Sequence, residues 1–316
     1  MSLVDNGLAF VFPGQNSQSI GMMSGLAGEH PEVEAAFLAA SEVLGYDLWE
    51  LVREGPEERL NDTRFTQPAM FVAGVATWRV WCGQTEVRPG SMAGHSLGEY
   101  TALVCSGALG FEDGVRLVQE RARLMQEAVP PGVGAMAVVI GLNDEQVVAV
   151  CEQASSPSET VTAANFNSPG QVVISGNKPA VERAMELAKA KGAKRAILLS
   201  VSVPSHCSLM ASAAEKFRTI LEQTALESPA VGVVHNVDVA MHPAPEVIRV
   251  ALERQLCGSV RWTDSILFMS QQGVDRFIEC GPGRVLAGLN KRIVPNSRTA
   301  AIFDANSLAK ALELVQ

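Results

Sequence analysis

The chain has 316 residues, of which 47% are hydrophobic and 19% are charged, which is the ordinary balance of a globular protein. It carries 25 Lys and Arg against 34 Asp and Glu, and the resulting formal net charge of −9 argues against nucleic acid or an anionic membrane as its main partner. Its six cysteines include no C-x-x-C pair and no zinc spacing with histidine, so we expect free thiols and no metal site.

The first predicted element is the buried strand Leu8–Phe12, which ends at Pro13-Gly14. No basic segment precedes it, and no apolar stretch approaches the ~20 residues of a membrane span, so we expect a cytoplasmic protein without a signal peptide. The turn Phe12–Gln18 (FPGQNSQ) directly follows this strand. A glycine-rich turn in this place can aim backbone N–H groups at a developing oxyanion. A plain strand-to-helix turn is the alternative.

Short apolar strands then alternate with amphipathic helices. Helical periodicity covers Pro31–Leu44, Gln67–Trp81, Leu97–Cys105 and Glu112–Ala128, and a short strand covers Ser91–Ala93. This alternation predicts a mostly parallel sheet with helices on both of its faces.

The segment Gly94-His95-Ser96-Leu97-Gly98 matches G-x-S-x-G and lies between a predicted strand and a predicted helix. In that context the motif places a serine on a sharp turn that projects its hydroxyl outward, so Ser96 is a candidate nucleophile. A surface turn with an ordinary hydroxyl is the alternative.

Three arginines share the helix that follows: Arg116, Arg121 and Arg123. An arginine that faces a pocket can hold a substrate carboxylate through two parallel hydrogen bonds. The sequence alone does not say which of them faces inward, and a solvated helix face is the alternative.

The pattern changes after Pro130-Pro131-Gly132. The predicted order from there is β-α-β-β-α-β, with elements at Ala135–Ile140, Asp144–Gln153, Thr160–Asn165, Gln171–Ser175, Pro179–Lys191 and Lys194–Leu199. We expect the fifth element, a helix, to begin with a strong cap. This order is that of the ferredoxin-like unit. We therefore predict a small subdomain at 130–199, inserted into a large α/β domain made of 1–129 and 200–316.

The large domain resumes with further alternating elements. These are helices at Ser208–Leu226, Pro245–Leu256 and Val285–Ile293, and strands at Val231–His235 and Phe277–Glu279.

His206 is the candidate general base among the five histidines. It lies where the chain re-enters the large domain, and a loop there can reach the sheet end where sites of open α/β folds collect. His95 adjoins Ser96, but neighbours at such a turn point in different directions. No carboxylate between Ser96 and His206 stands out at a strand end, so a backbone carbonyl can be the group that orients the imidazole. A structural loop histidine is the alternative.

Taken in order, these segments resemble the malonyl-CoA:acyl carrier protein transacylases of bacterial type II fatty acid synthesis. The resemblance runs from Phe10 to about Leu314 and is carried by F-P-G-Q-x-S-Q at 12–18, Q-P-A at 67–69, G-H-S-L-G-E at 94–99, Arg121, N-F-N-S-P-G-Q at 165–171, V-P-S-H at 203–206 and G-P-G at 281–283. It implies a hydrolase-like large domain with a ferredoxin-like insert.

The resemblance also implies roles for individual residues. Ser96 matches the family's nucleophile, His206 its general base, and Arg121 the arginine that holds the malonyl carboxylate. Gln15 and Leu97 match the residues whose backbone N–H groups form the oxyanion hole.

Three further positions follow from the same resemblance. Gln255 matches the residue whose main-chain carbonyl orients the histidine, and Asn165 lies in the segment that lines the pocket. Asn16 departs from the family, which often has glycine there. If that position needs a positive φ, asparagine is the side chain that best tolerates it.

The implied activity is acyl transfer from malonyl-CoA to the thiol of acyl carrier protein through a malonyl-serine, with no metal or bound cofactor. The rival functions are a malonyl transferase of a malonate decarboxylase, a polyketide acyltransferase, a thioester hydrolase and a non-catalytic carrier-binding protein. Because carrier proteins of this type are acidic, docking needs a local basic patch. Lys194 with Arg195, and Lys291 with Arg292, are the candidates.

Overall fold

The computed structural model describes residues 3–199 and 203–316. In chain order its strands are β1 (Leu3–Phe12), β2 (Val87–Gly94), β3 (Gly134–Ile140), β4 (Val161–Ser168), β5 (Gln171–Asn177), β6 (Arg195–Leu198), β7 (Gly232–Val234), β8 (Arg276–Cys280) and β9 (Arg298–Ile302). Its helices are α1 (Ser24–Ala27), α2 (Pro31–Leu44), α3 (Leu48–Glu54), α4 (Glu57–Leu60), α5 (Thr63–Gln84), α6 (Gly98–Cys105), α7 (Phe111–Ala128), α8 (Asp144–Ala154), α9 (Lys178–Ala190), α10 (Ala211–Gln223), α11 (Pro245–Gln255), α12 (Trp262–Gln271), α13 (Val285–Ile293) and α14 (Ala305–Glu313).

The large sheet has five parallel strands in the order β7-β2-β1-β8-β9. Phe10 in β1 pairs with Met92 on one side and with Ile278 on the other. The last five residues of β1, Leu8–Phe12, are fully buried because helices cover both faces of the sheet. The predicted parallel α/β sheet is confirmed, and its carboxyl edge presents the turns that follow β1 and β2.

The small sheet has four strands in the order β4-β5-β3-β6, and all of its pairs are antiparallel. Helices α8 and α9 pack on it around a separate apolar core that includes Val139, Ile174 and Val181. This is the predicted ferredoxin-like arrangement, and its strands and helices run from Gly134 to Leu198. The domain boundaries at 129/130 and 199/200 stay a prediction. Residue 200, like residues 1 and 2 of the predicted large domain, lies outside the described residues.

Some elements differ from the prediction. The predicted helix Ser208–Leu226 consists of a 3₁₀ turn at Ser208–Met210 and α10, and it ends at Gln223 because Thr224 is extended. Helix α9 lacks the expected side-chain cap, since the Asn177 side chain accepts a hydrogen bond from the Thr160 N–H instead.

Other elements were not predicted at all: α1, α3, α4, α12, α14 and β9. The helices α1 and α4 have four residues each, too few to show a helical period. Among the described residues, no helix is both long and apolar enough to cross a membrane. The six cysteines, all within that part of the chain, are unpaired.

Candidate active site

The turn between β2 and α6 carries Ser96 in a left-handed backbone conformation, with a φ of 53°. The positions two residues before and two residues after Ser96 must be glycine, because other backbone atoms come close to each of them. A Cβ on Gly94 would lie 1.8 Å from the Gly98 carbonyl carbon, and a Cβ on Gly98 would lie 2.1 Å from the Phe12 carbonyl oxygen. The turn therefore packs directly against the end of β1, and the predicted strand–turn–helix context of the serine is present.

Ser96 and His206 form a hydrogen-bonded pair, with 2.7 Å between Ser96 Oγ and His206 Nε2. On the other side of the ring, His206 Nδ1 lies 2.8 Å from the Gln255 main-chain oxygen and 3.2 Å from that of Gly258. Carbonyl oxygens only accept, so Nδ1 carries the proton and Nε2 is free to accept the one from the serine hydroxyl. Within the described part of the chain, no carboxylate contacts this imidazole.

Burial keeps His206 uncharged. Desolvation, helped by the positive charge of Arg121, lowers the pKa of His206 to about 3, although its hydrogen bonds to the two carbonyl oxygens act in the opposite direction. The imidazole is therefore neutral near pH 7 and can accept a proton.

Of the three arginines on α7, only Arg121 faces inward, and it is fully buried. Its Nη1 donates to Gln67 Oε1 at 2.7 Å, and its Nη2 donates to Gln255 Oε1 at 3.0 Å and to Ser96 Oγ at 3.2 Å. Its Nε is also buried and has no partner among the described residues. Arg116 and Arg123 instead form exposed ion pairs with glutamates on their own helix.

The candidate oxyanion donors lie on the two turns at the carboxyl edge of the large sheet. Hydrogen bonds among the described residues leave the backbone N–H groups of Gln15 and Leu97 unused. The Gln15 side chain is held in place, since its Nε2 donates to Thr63 Oγ1 at 3.1 Å and its Oε1 accepts from Gln67 Nε2 at 3.3 Å. Asn16 has a φ of 78°, which is in the left-handed region. The position where the family often has glycine therefore does have a positive φ here, and asparagine occupies it.

A small cavity of about 80 Å³ is lined by Ser96, His206, Gln15 and Asn165, among others. Asn165, on β4, is buried in its wall. A neighbouring cavity of about 280 Å³ shares Gln15 and Asn165 with the first and extends between the small sheet and α13. Its apolar lining comes from Met136, Val138, Val173, Leu199, Val285, Leu286 and Leu289. We call this neighbouring cavity the passage.

Three of the four candidate docking cations lie along one end of the small sheet. Arg195 pairs in register with Ile140, which pairs with Gln171, and Arg292 Nη1 donates to Gln171 Oε1 at 2.8 Å. Gln171 also lines the passage, so this basic row stands beside it. Lys194, exposed, precedes Arg195.

Lys291 is different from the other three. Its Nζ donates to the Ser297 main-chain oxygen at 2.8 Å, and it lines a separate groove with Arg284 and Lys310. The structure thus does not bring Lys291 to the basic row.

Comparison with known proteins places this geometry in a family. A family model described as acyl transferase domain matches residues 9–301. The chain is 53% identical to the malonyl CoA-acyl carrier protein transacylase of Escherichia coli strain K12, over 97% of this chain and 99% of that protein. It is 41% identical to the protein of the same name from Bacillus subtilis strain 168, over 98% of this chain and 97% of that one.

The chain belongs to the malonyl CoA-acyl carrier protein transacylase family.

Solved structures agree with this assignment. An acyl carrier protein S-malonyltransferase from Vibrio cholerae superposes with a TM-score of 0.94 at 51% identity, covering 98% of this chain and 100% of that one. A malonyl-transacylase solved in complex with its type II PKS acyl-carrier protein superposes with a TM-score of 0.95 at 54% identity, covering 97% and 99%. The predicted family and the predicted class of enzyme, an acyltransferase, are confirmed.

Several residues around the site were not among the predicted site residues. Gln67 joins Arg121 to Gln15, while Glu99 and Asn236 lie beneath the Ser96 turn. Glu99 is a charged residue in the otherwise uncharged segment Leu97–Cys105, a signal that it needs a buried partner. Asn236 directly follows a predicted strand, and strand ends meet at the same edge of a parallel sheet.

Proposed function

We propose that this protein transfers the malonyl group of malonyl-CoA to the phosphopantetheine thiol of acyl carrier protein through a malonyl-serine, and so supplies fatty acid synthesis. One observation carries the proposal: Ser96 Oγ lies 2.7 Å from a neutral imidazole and 3.2 Å from a buried guanidinium. The nucleophilic oxygen, Ser96 Oγ, is thus in hydrogen-bond contact with both a base and a fixed cation. The names of the relatives support the choice of donor and acceptor.

In the first half-reaction, His206 Nε2 takes the proton of Ser96 Oγ as that oxygen attacks the thioester carbonyl carbon. The carbonyl oxygen becomes an oxyanion, for which the unused N–H groups of Gln15 and Leu97 are the donors. A donor of this kind contributes roughly 3–4 kcal/mol in comparable sites. The carbon–sulfur bond then breaks, and the coenzyme A sulfur leaves with the proton from His206.

In the second half-reaction, the phosphopantetheine thiol gives its proton to His206 Nε2 and attacks the malonyl ester. The bond to Ser96 Oγ breaks, and that oxygen takes the proton back. The two half-reactions use one base and one oxyanion site, so no resident metal or cofactor is required.

Arg121 is the partner proposed for the malonyl carboxylate. Its guanidinium is fixed by two glutamine side chains and has a further buried N–H, at Nε, without a partner among the described residues. Arginine stays charged at any working pH and offers donors in a planar fork that matches a carboxylate. Asn165 is proposed to line the same pocket.

Carrier protein is proposed to dock at the basic row of Lys194, Arg195 and Arg292. The passage beside that row has a partly apolar lining and shares Gln15 and Asn165 with the cavity that Ser96 lines, which suits a slender pantetheine arm. Lys291, which faces the other groove, is expected to contribute less.

Intact-mass spectrometry tests the proposal. Malonyl-CoA alone should add one malonyl group to the protein, and Ser96→Ala should abolish the addition. Ser106→Ala is a matched control, because its buried hydroxyl, directly after α6, donates to the Leu103 carbonyl in the last turn of that helix. Loading that persists in Ser96→Ala contradicts the nucleophile assignment. Release of free malonate without transfer to added carrier indicates a hydrolase instead.

The docking face has its own test. Reversing the charges of Lys194 and Arg195, or of Lys291 and Arg292, should weaken transfer to carrier protein and spare loading from malonyl-CoA. Of the second pair, Arg292→Glu alone should account for most of the effect. Lys216→Glu, on α10 and outside the row, is the control. Unchanged carrier kinetics in both double reversals would count against this face.

A cytoplasmic location stays a prediction from the sequence.

A further inference from the structure

Glu99 on α6 carries a fully buried carboxylate close to the site that the proposed transfer does not use. It lies three residues after Ser96 and does not contact His206. Burying a carboxylate is costly unless donors surround it, so its partners indicate what the site requires of it.

Glu99 accepts hydrogen bonds from three donors on two distant segments. Its Oε2 lies 3.0 Å from the Asn236 backbone nitrogen and 2.9 Å from Gln255 Nε2. Its Oε1 lies 2.6 Å from His235 Nδ1. His235 and Asn236 follow β7, whereas Gln255 ends α11, so the carboxylate ties together two segments that both border the site.

The residues tied by Glu99 hold the backbone of Ser96 on both sides. Asn236 Oδ1 accepts the Ser96 N–H at 2.8 Å, and Asn236 Nδ2 donates to the Gly94 carbonyl at 2.7 Å. Gln255 Nε2 donates to the Ser96 carbonyl at 3.0 Å. A serine at positive φ persists only where its surroundings fix it, and these contacts are what fixes it.

Gln255 also reaches the other two members of the site. Its side-chain oxygen accepts from Arg121 Nη2, and its main-chain oxygen accepts from His206 Nδ1. Its amide nitrogen is shared between Ser96 and Glu99. The Gln255 side chain therefore helps to fix the positions of Ser96 and Arg121, and the Gln255 main chain fixes the orientation of the His206 ring.

We propose that Glu99 is a positioning residue, whose buried carboxylate fixes Gln255 and Asn236 and through them the geometry of Ser96, His206 and Arg121. The proposal rests on the roles proposed above for those three residues. Glu99 touches no reacting atom, and its effect passes through the hydrogen bonds just described.

The conservative variants separate geometry from charge. In Glu99→Gln, the amide oxygen can take the place of Oε2 and accept from Asn236 and Gln255. The new NH₂ group then takes the place of Oε1 and donates to His235 Nδ1, which is an acceptor when the ring proton is on Nε2. This variant should keep activity within about tenfold. Glu99→Asp keeps the charge but withdraws the carboxylate by one methylene, so it should lose more. Glu99→Ala should lose about 10²-fold, since a misplacement of about 1 Å can cost that much.

The readout is the rate at which Ser96 reacts with an uncharged phosphonate reagent, followed by intact mass. This rate needs neither malonyl-CoA nor carrier protein. If wild-type protein does not react at Ser96, the proposed function fails. If wild type reacts and the folded Glu99→Asp and Glu99→Ala variants do so at the same rate, only the positioning role is overturned.

A double-mutant cycle and a buried control complete the test. Gln255→Ala removes the amide but keeps the main-chain oxygen. Adding Glu99→Ala to this variant should cost less than Glu99→Ala alone, because only the contribution through Asn236 is then left to lose. Additive losses would refute the proposal. Glu279→Ala removes another fully buried carboxylate, one that accepts from the Ala287 N–H at the start of α13. It should lower the thermal midpoint yet keep phosphonylation within about threefold. A loss equal to that of Glu99→Ala would assign both effects to general destabilisation.

Discussion

Replacing Arg121 by alanine should change which acyl group the protein accepts. A malonyl group carries a free carboxylate and an acetyl group does not, so only malonyl needs the buried cation. Charge-assisted hydrogen bonds are worth roughly 1.5–3 kcal/mol each, and two of them to one carboxylate give about 3 kcal/mol at the lower bound. Since every 1.4 kcal/mol is tenfold, Arg121→Ala should shift the malonyl-to-acetyl preference by about a hundredfold or more.

The structure also predicts the direction for acetyl. Removing Arg121 takes away a guanidinium that an acetyl group cannot pair, so acetyl loading should be unchanged or improved. Arg121→Lys should recover only part of the preference, because one ammonium cannot meet both Gln67 and Gln255 as the fork does.

The assay is kcat/KM of loading from malonyl-CoA and from acetyl-CoA for each variant. Arg123→Ala is the matched control, because this arginine lies two positions along the same helix but is exposed and paired with Glu120 and Glu127. It should change neither value. Equal losses for both donors in Arg121→Ala would show that the arginine supports the fold or the carrier and does not select the acyl group.

Three further outcomes are expected. His206→Ala should slow both half-reactions by about 10²–10⁴-fold, as loss of a general base does. Asp238→Asn and Glu279→Gln should keep most activity, and a loss at either acid equal to that of His206→Ala would indicate a catalytic triad. Because the pKa of His206 is lowered to about 3, the base stays neutral and Ser96 reactive well below pH 6.5. Loss of the Arg121 charge should raise that pKa, so Arg121→Ala should move the acid limb of phosphonylation to higher pH; an unmoved limb would contradict this cause. Asn16→Ala should lower the free energy of unfolding by about 1–2 kcal/mol in urea titrations, because φ is 78° there, whereas Asn16→Gly should not.

The local parts of the site could be predicted from the sequence. The turn around Ser96 is specified by glycines at fixed spacing between a strand and a helix, and the close contacts of Gly94 and Gly98 show why no larger residue fits. Likewise, the β-α-β-β-α-β order of the small subdomain follows from short-range periodicity and from turns, which neighbouring residues decide.

The sequence, read through a family resemblance, also named residues far apart that the fold brings together. Ser96 and His206 are 110 positions apart and lie within one hydrogen bond. From residue patterns alone, His206 was the candidate base among five histidines because of its place in the chain, with a structural loop histidine as the alternative. A sequence pattern can predict that the loop of His206 lies at the edge of the sheet. It cannot predict the distance from the His206 side chain to the Ser96 turn.

Only the tertiary structure decided which polar groups are buried together. The family resemblance had named Arg121 among the three arginines on one helix, but only the structure shows that its side chain is the one that reaches Gln67 on α5 and the Ser96 turn. The structure also joined Glu99 to Asn236 and Gln255, over separations of 137 and 156 residues. A local pattern records the period of one element, whereas a buried hydrogen-bond network depends on how several elements pack and which groups that packing removes from water.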